Sequence, residues 1–524
     1  MFCLAALVSL AFAFQTDLRW EDYYITFRAS KNLATGNGLV FQVGQRVHTY
    51  TSPLGTLLPA FTSWISGGNS DEAALWIFRA ISIAFFAGSV ALVWRLGRAW
   101  GWRPAVCALT AGLLLTDAKS VSFTINGMET GILLFFLALC LHVHAAGARR
   151  PAWALGVAWA GLMWSRPDGF IYIGATAAGF WFFPSAQRLA GSRGRLLATY
   201  LKSGLVCALL YGPWVAWAWR YYGSPIPNTV VAKTTGHPFP PLPVLLGRFA
   251  ALPFRAWHEH LGSLLFMPAY FASGGWPAWN LVACDSIAVV ALITVILPRM
   301  RPEARVLSLA ALAGLFYVTN TDMYPWYIPA ATFLTIVALG GLCESVQRLL
   351  PASGPARPAL LLPWAAVVLL SATLLAESSW QLKWQQRIIE GQRKDIGLWL
   401  RANSPSPTDT VFLESLGYIG YYSQLKMYDY PGMSSPEVVA ARKKYGENWV
   451  VLIGALRPKW LILRPSEYAG NRLKYNDWFH GHYNLAAVFD CRDKVNALRG
   501  LPGWGFLAFD ETFFVYRYNE EAGD

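Results

Sequence analysis

The chain has 524 residues, of which 55% are hydrophobic and only 14% are charged. The charged fraction is well below the ~25% typical of soluble domains, and together with long apolar runs it predicts a polytopic membrane protein. The net charge of +13 is uneven, because residues 1–376 hold 25 Lys and Arg against 13 Asp and Glu, whereas residues 377–524 hold 18 against 17. The basic excess therefore reflects membrane topology and does not indicate nucleic-acid binding.

Eleven apolar segments predict eleven transmembrane helices. The first, residues 1–14, lacks a basic flank and a cleavage motif, so it is interpreted as a retained helix. The others lie at about residues 73–94, 104–116, 130–146, 152–164, 169–183, 200–219, 279–298, 306–320, 327–343 and 359–376. Residues 257–277 are interpreted as surface helices, because a twelfth span would break the alternation of loop charge.

Five loops between these segments are almost purely basic. They hold two acids, Glu303 and Glu344, and fourteen basic residues: Arg95, Arg98, Arg103, Arg149, Arg150, Arg188, Arg193, Arg195, Lys202, Arg299, Arg301, Arg305, Arg348 and Arg357. The positive-inside rule places these loops and the N-terminus in the cytoplasm. The remaining loops and the C-terminal region are then extracytoplasmic.

From Glu377 onward, short strands alternate with helices. The predicted strands are Thr410–Leu413, Lys426–Tyr430, Trp460–Leu463, Leu485–Phe489 and Thr512–Tyr518, after an amphipathic helix at 379–402. This pattern predicts an extracytoplasmic α/β domain over residues 377–524, preceded by a membrane domain over residues 1–376. Six of the seven cysteines fall in apolar segments, so the C-terminal domain has no disulfide framework.

The stretch Leu18–Pro59 follows the first apolar segment and is too polar to lie in lipid, so it is predicted to be an extracytoplasmic loop. It holds two adjacent acids, Glu21 and Asp22. Carboxylates beside a membrane are unfavourable unless something binds them, so the pair predicts a functional site. The alternative is a solvated loop whose acids only cap a helix. Further polar and aromatic candidates in this stretch are Tyr24, Arg28, Asn32 and Arg46.

More polar and aromatic side chains recur at the ends of apolar segments on the same predicted face. They are Glu129, Arg166, Asp168, Asn228, Lys233, Tyr324, Trp326 and Tyr327. Each has a purely structural alternative. Acids can complement helix dipoles or pair with an arginine, a lysine can reach to the membrane surface, and the Thr319–Tyr327 loop can be an interfacial aromatic belt. Their common face favours a shared cavity.

Such a cavity suits the transfer of a sugar. A carboxylate can act as general base towards an acceptor hydroxyl, and Lys233, Arg46 and Arg28 can hold a phosphate through charge-assisted hydrogen bonds. The sequence contains no nucleotide-binding motif and no His or Cys spacing typical of a metal site. A lipid-phosphate donor, without a nucleotide cofactor or an obligatory metal, is therefore predicted.

The stretch WEDYYITFRASKNLATGNGLVFQVGQRVHTYTSPL resembles the first extracytoplasmic loop of bacterial GT-C-fold glycosyltransferases. The pieces GMET, SRPDG, YYGSPIPNTVVAK, YPWYIP and LESLGYIGYYSQLKMYDYPGMSSPEVV resemble later stretches of the same family. The most similar group is the polyprenyl-phosphate-dependent arabinofuranosyltransferases of actinobacterial cell walls, with the family 39-like glycosyltransferases as relatives. In this chain Gln42 stands where the family usually has Asn, and His48-Thr49 stands where Glu-Gly is common.

The resemblance implies a location in the inner membrane of a bacterial cell and roles for individual residues. Asp22 would be the catalytic base and Glu21 its partner. Asn228 and Lys233 would lie near the donor phosphate, and the other candidates would line the substrate cavity: Glu129, Arg166, Asp168, Tyr24, Arg28, Asn32, Tyr324, Trp326 and Tyr327.

The predicted function is transfer of a sugar from a polyprenyl-phosphate donor to an extracytoplasmic glycan, lipid or protein acceptor, with inversion at the sugar carbon. One alternative is a transporter or flippase of a polyprenyl-linked sugar, which would carry polar residues at mid-bilayer depth in related halves. The other is a non-catalytic glycan-binding scaffold, in which Glu21 and Asp22 are dispensable.

Overall fold

The structure, a computed structural model, describes residues 1–68, 70–235, 240–321, 323–351 and 356–520. Asp322, in the predicted Thr319–Tyr327 loop, lies outside these ranges. Each of the eleven apolar segments forms a helix. Their bounds are Phe2–Thr16, Asp71–Ala99, Pro104–Thr116, Thr130–Ala146, Pro151–Ser165, Gly169–Phe182, Arg193–Tyr222, Ala278–Ile293, Pro302–Thr319, Pro329–Leu349 and Leu361–Trp384.

Within the described ranges, four helices are long and apolar enough to cross a membrane alone, and two bent helix pairs raise that number to six. The chain is therefore a multi-pass membrane protein, while the number of eleven spans stays a prediction. The last of the four is a continuous helical run of 48 residues, Ala356–Asn403, which includes the helix Leu361–Trp384. It continues from the membrane part into the C-terminal domain, so the predicted domain boundary at residue 376 falls inside one helix.

The predicted loop Leu18–Pro59 is partly helical, which corrects the sequence interpretation. One helix spans Glu21–Ala34 and bends by 96° from the helix before it. Two acids in its first turn complement the helix dipole. A second helix, Pro53–Ile65, starts with a proline at its first position and with Ser52 as N-cap, whose hydroxyl accepts a hydrogen bond from the Gly55 amide at 2.8 Å.

The described residues between 223 and 277 form short helices, and the interpretation of 257–277 as surface helices stays a prediction. They are Asn228–Thr234, Leu242–Ala250, Leu252–His258 and Ser263–Phe266. Another short helix, Ala118–Ile125, lies in the membrane part. With at most nine residues, none of these helices approaches the roughly 20 residues that a span needs.

Four of the five basic loops meet one another in the structure. Arg301 donates to the carbonyl of Trp100 at 2.5 Å, and Arg348 donates to the carbonyl of Gly101 at 2.9 Å. The indole of Trp100 donates to the carbonyl of Ala186 at 2.9 Å. The loops that the charge pattern places on one face therefore lie together, as the predicted alternation requires.

The C-terminal domain is built on a five-stranded mixed sheet of order β2-β1-β3-β5-β4. Its strands are β1 Thr410–Leu413, β2 Lys426–Asp429, β3 Trp460–Leu463, β4 Tyr483–Asp490 and β5 Thr512–Tyr518. Strand β1 is parallel to β2 and β3, whereas β5 is antiparallel to β3 and β4. All five predicted strands are present. The helices of this domain are Glu390–Asn403, Gly417–Ser423, Pro436–Tyr445, Trp449–Leu456, Pro465–Gly470, Asp477–His482, Arg492–Asn496 and Trp504–Leu507.

An aromatic cluster joins the Glu21–Ala34 helix to the Gly417–Ser423 helix of the C-terminal domain. The Tyr24 ring lies 4.4 Å from the Tyr418 ring, centroid to centroid, and the Phe27 ring lies 5.6 Å from the Tyr421 ring. Buried aromatic pairs contribute ~0.5–1.5 kcal/mol each beyond the area they bury. The C-terminal domain is thus packed directly against the helix that begins with Glu21 and Asp22.

Candidate functional site

A cavity of about 290 Å3 lies between the membrane part and the C-terminal domain. Its volume is near the lower end of the ~300–1,000 Å3 typical of small-molecule sites. The membrane part contributes, among others, five residues predicted from the sequence: Glu21, Asp22, Lys233, Tyr324 and Trp326. The C-terminal domain contributes, among others, Glu390, Arg393, Glu414, Arg464, Phe509 and Asp510.

Glu21 and Asp22 point to different partners because they are consecutive residues in a helical turn, where side chains are about 100° apart. The Glu21 carboxylate forms an ion pair with Arg393 and accepts a hydrogen bond from the Gly417 amide at 2.8 Å. Burial raises the pKa of Glu21, and the positive charge of Arg393 opposes that rise. Glu21 therefore binds the C-terminal domain.

Asp22 faces the cavity. Its side chain is half-buried, and its carboxylate accepts no hydrogen bond from any residue the structure describes. Burial raises the pKa of Asp22 to about 6, which Lys233 opposes and the nearby Glu414 carboxylate reinforces. A carboxylate with a pKa close to neutral and an accessible oxygen has the properties of a general base.

Lys233 lies on the Asn228–Thr234 helix, and its ammonium group lies against three aromatic rings of the cavity region. Its Nζ lies 4.1 Å from the centroid of Tyr324, 5.8 Å from that of Trp326 and 5.7 Å from that of Tyr327. In the described part of the chain its ammonium group has no ion pair. Cation–π contacts orient the charge without neutralising it, so Lys233 can bind an anion in the cavity.

Arg166 forms buried ion pairs with two acids beside the cavity. It donates to Glu129 at 2.8 Å and to Asp168 at 2.9 Å, and its guanidinium lies 4.6 Å from the centroid of Tyr327. None of these four residues lines the cavity itself. Arg166 and Asp168 therefore form the ion pair that the structural alternative describes. The charge of Glu129 raises the pKa of Asp22 and the charge of Arg166 lowers it.

Three predicted cavity residues of the Glu21–Ala34 helix, Tyr24, Arg28 and Asn32, do not line the first cavity. Arg28 donates to the carbonyls of Gly420 at 2.8 Å and Leu425 at 3.2 Å, which fixes the C-terminal domain to this helix. Asn32 shares with Arg28 a second cavity of about 400 Å3. The Tyr24 hydroxyl lies 3.2 Å from that of Tyr422. These placements come from the helical geometry of the stretch, which the loop interpretation did not include.

Two predicted phosphate-binding residues are also outside the first cavity. Arg46 is exposed, and its guanidinium lies 5.0 Å from the ring centroid of Tyr221. The Asn228 amide donates to the carbonyls of Gly432 at 2.8 Å and Met433 at 3.0 Å. Asn228 therefore joins the membrane part to the C-terminal domain. Of the four residues predicted to contact phosphate, namely Lys233, Asn228, Arg46 and Arg28, only Lys233 lines the cavity with Asp22.

The sequence interpretation missed the contribution of the C-terminal domain. Arg393 forms ion pairs with Glu21, with Glu390 at 2.9 Å and with Asp510. Arg464 pairs with Asp510, Glu414 and Glu467, the last two at 2.7 Å. A sequence signal existed, because Glu414 directly follows β1 and Arg464 directly follows β3. Carboxyl ends of neighbouring parallel strands meet at one edge of a sheet and commonly form sites.

No group of three or more His, Cys, Asp and Glu residues within the described ranges is arranged to hold a metal ion. The cavity carboxylates of Glu21 and Glu414 are paired with Arg393 and Arg464 instead. Independence of the reaction from metal stays a prediction.

Sequence comparison finds two terminal β-(1→2)-arabinofuranosyltransferases among the relatives. The protein of Mycobacterium tuberculosis is 28% identical over 234 residues, which cover 41% of this chain and 35% of the relative. The protein of Corynebacterium glutamicum is 28% identical over 262 residues, which cover 44% of this chain and 36% of the relative. The matches thus span about a third of the length of these curated relatives. A family model described as a domain of unknown function, DUF8728, matches residues 381–516.

Solved structures of two membrane enzymes share the fold. The oligosaccharyltransferase AglB of Archaeoglobus fulgidus, in complex with an inhibitory peptide and a dolichol-phosphate, superimposes with a TM-score of 0.56 at 13% identity, over 94% of this chain and 73% of that one. ArnT of Cupriavidus metallidurans, bound to undecaprenyl phosphate, superimposes with a TM-score of 0.51 at 13% identity, over 100% and 98% of the two chains. The resemblance to the GT-C-fold, arabinofuranosyltransferase-like proteins that the sequence motifs predict is confirmed.

Proposed function

We propose that this chain is a membrane glycosyltransferase that moves a sugar from a polyprenyl-phosphate donor to a glycan, lipid or protein acceptor. The observation that carries the proposal is the pairing of Asp22 and Lys233 in one cavity. Asp22 supplies a proton acceptor and Lys233 supplies a positive charge that aromatic rings hold in place. Transfer from a sugar phosphate requires both of these groups.

The reaction we propose is a single displacement. Asp22 removes the proton from an acceptor hydroxyl while the hydroxyl oxygen forms a bond to the anomeric carbon of the donor sugar. The bond between that carbon and the phosphate oxygen breaks, and the electron pair leaves with the polyprenyl phosphate. Lys233 stabilises the negative charge of the departing phosphate, and attack from the opposite side inverts the anomeric carbon.

The comparisons support the class of reaction. The sequence relatives are named as arabinofuranosyltransferases, and the structural neighbours were solved with dolichol-phosphate or undecaprenyl phosphate. A pentose donor on a polyprenyl phosphate is therefore the first substrate to test. We also propose that the cavity and the C-terminal domain face the extracytoplasmic side, because the basic loops form the opposite group.

Substitution Asp22→Asn tests the proposal, since it keeps the shape of the side chain and removes the proton acceptor. General-base catalysis contributes about 10²–10⁴-fold to rate, so turnover of a polyprenyl-phosphate sugar by the full chain in nanodiscs should fall by that factor. Asp395→Asn, at an exposed position of the Glu390–Asn403 helix, is the matched control. Thermal unfolding of both variants reports on folding.

Near-wild-type turnover of Asp22→Asn would show that the base is assigned wrongly. Failure of the wild-type protein to transfer any sugar, combined with movement of a polyprenyl-linked sugar across a vesicle membrane, would favour the transporter alternative.

A further inference from the structure

We propose that the C-terminal wall of the cavity, centred on Glu414 and Phe509, is an acceptor subsite that binds an uncharged terminal sugar and rejects an anionic one. This inference rests on the proposed function, because it assigns the second substrate of the same cavity. It follows from the position of these residues, from the pairing of the neighbouring arginines and from the exposure of the two side chains.

The strands of the C-terminal sheet determine where the residues of this wall lie. Glu414 comes directly after β1, and Arg464 comes directly after β3, which is parallel to β1 and hydrogen-bonded to it. Phe509 lies in the short helical turn Ala508–Asp510, just before β5. All three side chains line the same cavity as Asp22, Lys233 and Tyr324. The wall therefore belongs to the C-terminal domain alone and shares the cavity with the proposed base.

The arginines of this wall are already occupied. Arg464 donates to Glu414 and Glu467 at 2.7 Å and to the hydroxyl of Ser415 at 2.6 Å, and it pairs with Asp510. Arg393 is likewise shared among three acids. An anion that displaced one of these acids from a guanidinium would leave a carboxylate without its partner, which is strongly unfavourable.

The net charge of the wall also disfavours an anion. Four acids of the C-terminal domain surround the two arginines: Glu390, Glu414, Glu467 and Asp510. Like charges in a poorly solvated cavity repel strongly. A phosphate or a uronic acid would therefore be repelled from this wall, whereas Lys233 of the membrane part attracts the donor phosphate.

Glu414 and Phe509 have the exposed groups that a neutral sugar needs. The Glu414 side chain is 48% exposed and uses its Oε2 atom to bind Arg464. Its Oε1 atom accepts no hydrogen bond from a described residue, so this oxygen is available to a sugar hydroxyl. Phe509 is 56% exposed, and Arg464 lies 5.1 Å from its ring centroid, which leaves ring surface for the C–H groups of a sugar.

The test measures acceptor binding separately from turnover. Fluorescent nanodiscs that carry the full chain are applied to a glycan array with neutral pentose- and hexose-ended oligosaccharides and their matched uronic-acid-ended analogues, with empty nanodiscs as the blank. We expect binding to neutral-ended glycans only. A hydrogen bond to a charged group is worth about tenfold or more in affinity, so Glu414→Gln should weaken binding by about that factor.

Two further variants complete the test. Phe509→Ala should also weaken binding to the neutral glycans, because it removes exposed ring surface without touching the ion pairs. Glu520→Gln is the matched control, since Glu520 lies in the same domain and its side chain is 75% exposed and, among the described residues, paired with Lys459 alone. Its binding should equal that of the wild-type protein.

Preference for uronic-acid-ended glycans, or equal binding by wild type, Glu414→Gln and Phe509→Ala, would overturn the subsite. Failure of the subsite and failure of the proposed function give different results. Glu414-dependent binding without any sugar transfer would support the subsite and contradict the glycosyltransferase. Transfer that needs Asp22 but is unchanged in Glu414→Gln at low acceptor concentration would support the enzyme and contradict the subsite.

Discussion

The carboxylate of Glu21 accepts a hydrogen bond from the backbone amide of Gly417 at 2.8 Å, and this contact joins the membrane part to the C-terminal domain. The two backbones approach so closely that a Cβ atom on Gly417 would overlap the carbonyl oxygen of Glu21. Since Asp22 is the next residue, the contact also determines where the proposed base lies relative to the C-terminal wall.

Substitution Gly417→Ala should therefore separate the two parts locally. Overpacking at a close contact typically costs ~1–3 kcal/mol, so the midpoint of thermal unfolding in nanodiscs should fall and sugar transfer should fall with it. Gly470→Ala is the matched control, because an added Cβ at Gly470 meets no atom within 4 Å. Equal unfolding midpoints for the two variants would contradict the proposed role of the Gly417 contact.

Local patterns predicted the secondary structure of the C-terminal domain well. Strands such as Thr410–Leu413 and Trp460–Leu463 are short apolar runs bounded by turn residues, a signal that does not depend on distant contacts. The Glu21–Ala34 helix was missed because its mixture of aromatic and charged residues has no long apolar run. Part of its apolar surface packs on Tyr418 and Tyr421, which are almost 400 residues away.

Part of the candidate site was also predictable, because some of its residues belong to local sequence patterns. Lys233, Tyr324 and Trp326 occur at helix ends on the face that loop charge assigns to Asp22, and the structure brings all four to one cavity. The partners of Glu21 were not predictable from its own stretch, since Arg393 lies on a helix 372 residues later. Ion pairs between distant segments leave no periodic signal in a sequence.

The topology gives an independent prediction. The basic loops should be cytoplasmic and the C-terminal domain extracytoplasmic, because arginine-rich loops are retained on the cytoplasmic side. Reporter fusions after Ala376 and within residues 299–305 should therefore report opposite compartments. Reporters in the same compartment would contradict both the alternation of the loops and the proposed extracytoplasmic cavity.

Lys233→Met should weaken donor binding. The substitution keeps an apolar chain among the rings of Tyr324 and Trp326 and removes the only cavity cation without an ion pair to a described residue. A charge-assisted hydrogen bond is worth ~1.5–3 kcal/mol, so the affinity for undecaprenyl phosphate in nanodiscs should fall about ten- to a hundredfold.

The matched control for the donor-binding measurement is Lys443→Met, at an exposed position of the Pro436–Tyr445 helix. It should bind undecaprenyl phosphate as the wild-type protein does. Unchanged binding by Lys233→Met would leave Lys233 as a lysine that only reaches to the membrane surface.

The pH dependence of transfer should report the ionisation of Asp22. Burial raises its pKa to about 6, and only the ionised carboxylate can accept a proton. The acid limb of kcat/KM should therefore be level above pH 6 and fall about tenfold per pH unit below it. The donor contributes no such limb, because a phosphate esterified on both sides lacks the second ionisation near pH 6.

Lys233→Met should move this limb to higher pH, since the positive charge of Lys233 opposes the rise in the pKa of Asp22. Removing that charge stabilises the protonated acid, so a higher pH is needed to ionise it. Lys443 does not line the cavity, so Lys443→Met should leave the limb in place, and the residual activity of Asp22→Asn should lack it. The measurement is kcat/KM between pH 4.5 and about 8 in nanodiscs, with thermal unfolding at each pH to show that the protein stays folded. A limb that persists in Asp22→Asn, or that does not move in Lys233→Met, would show that another group is the base.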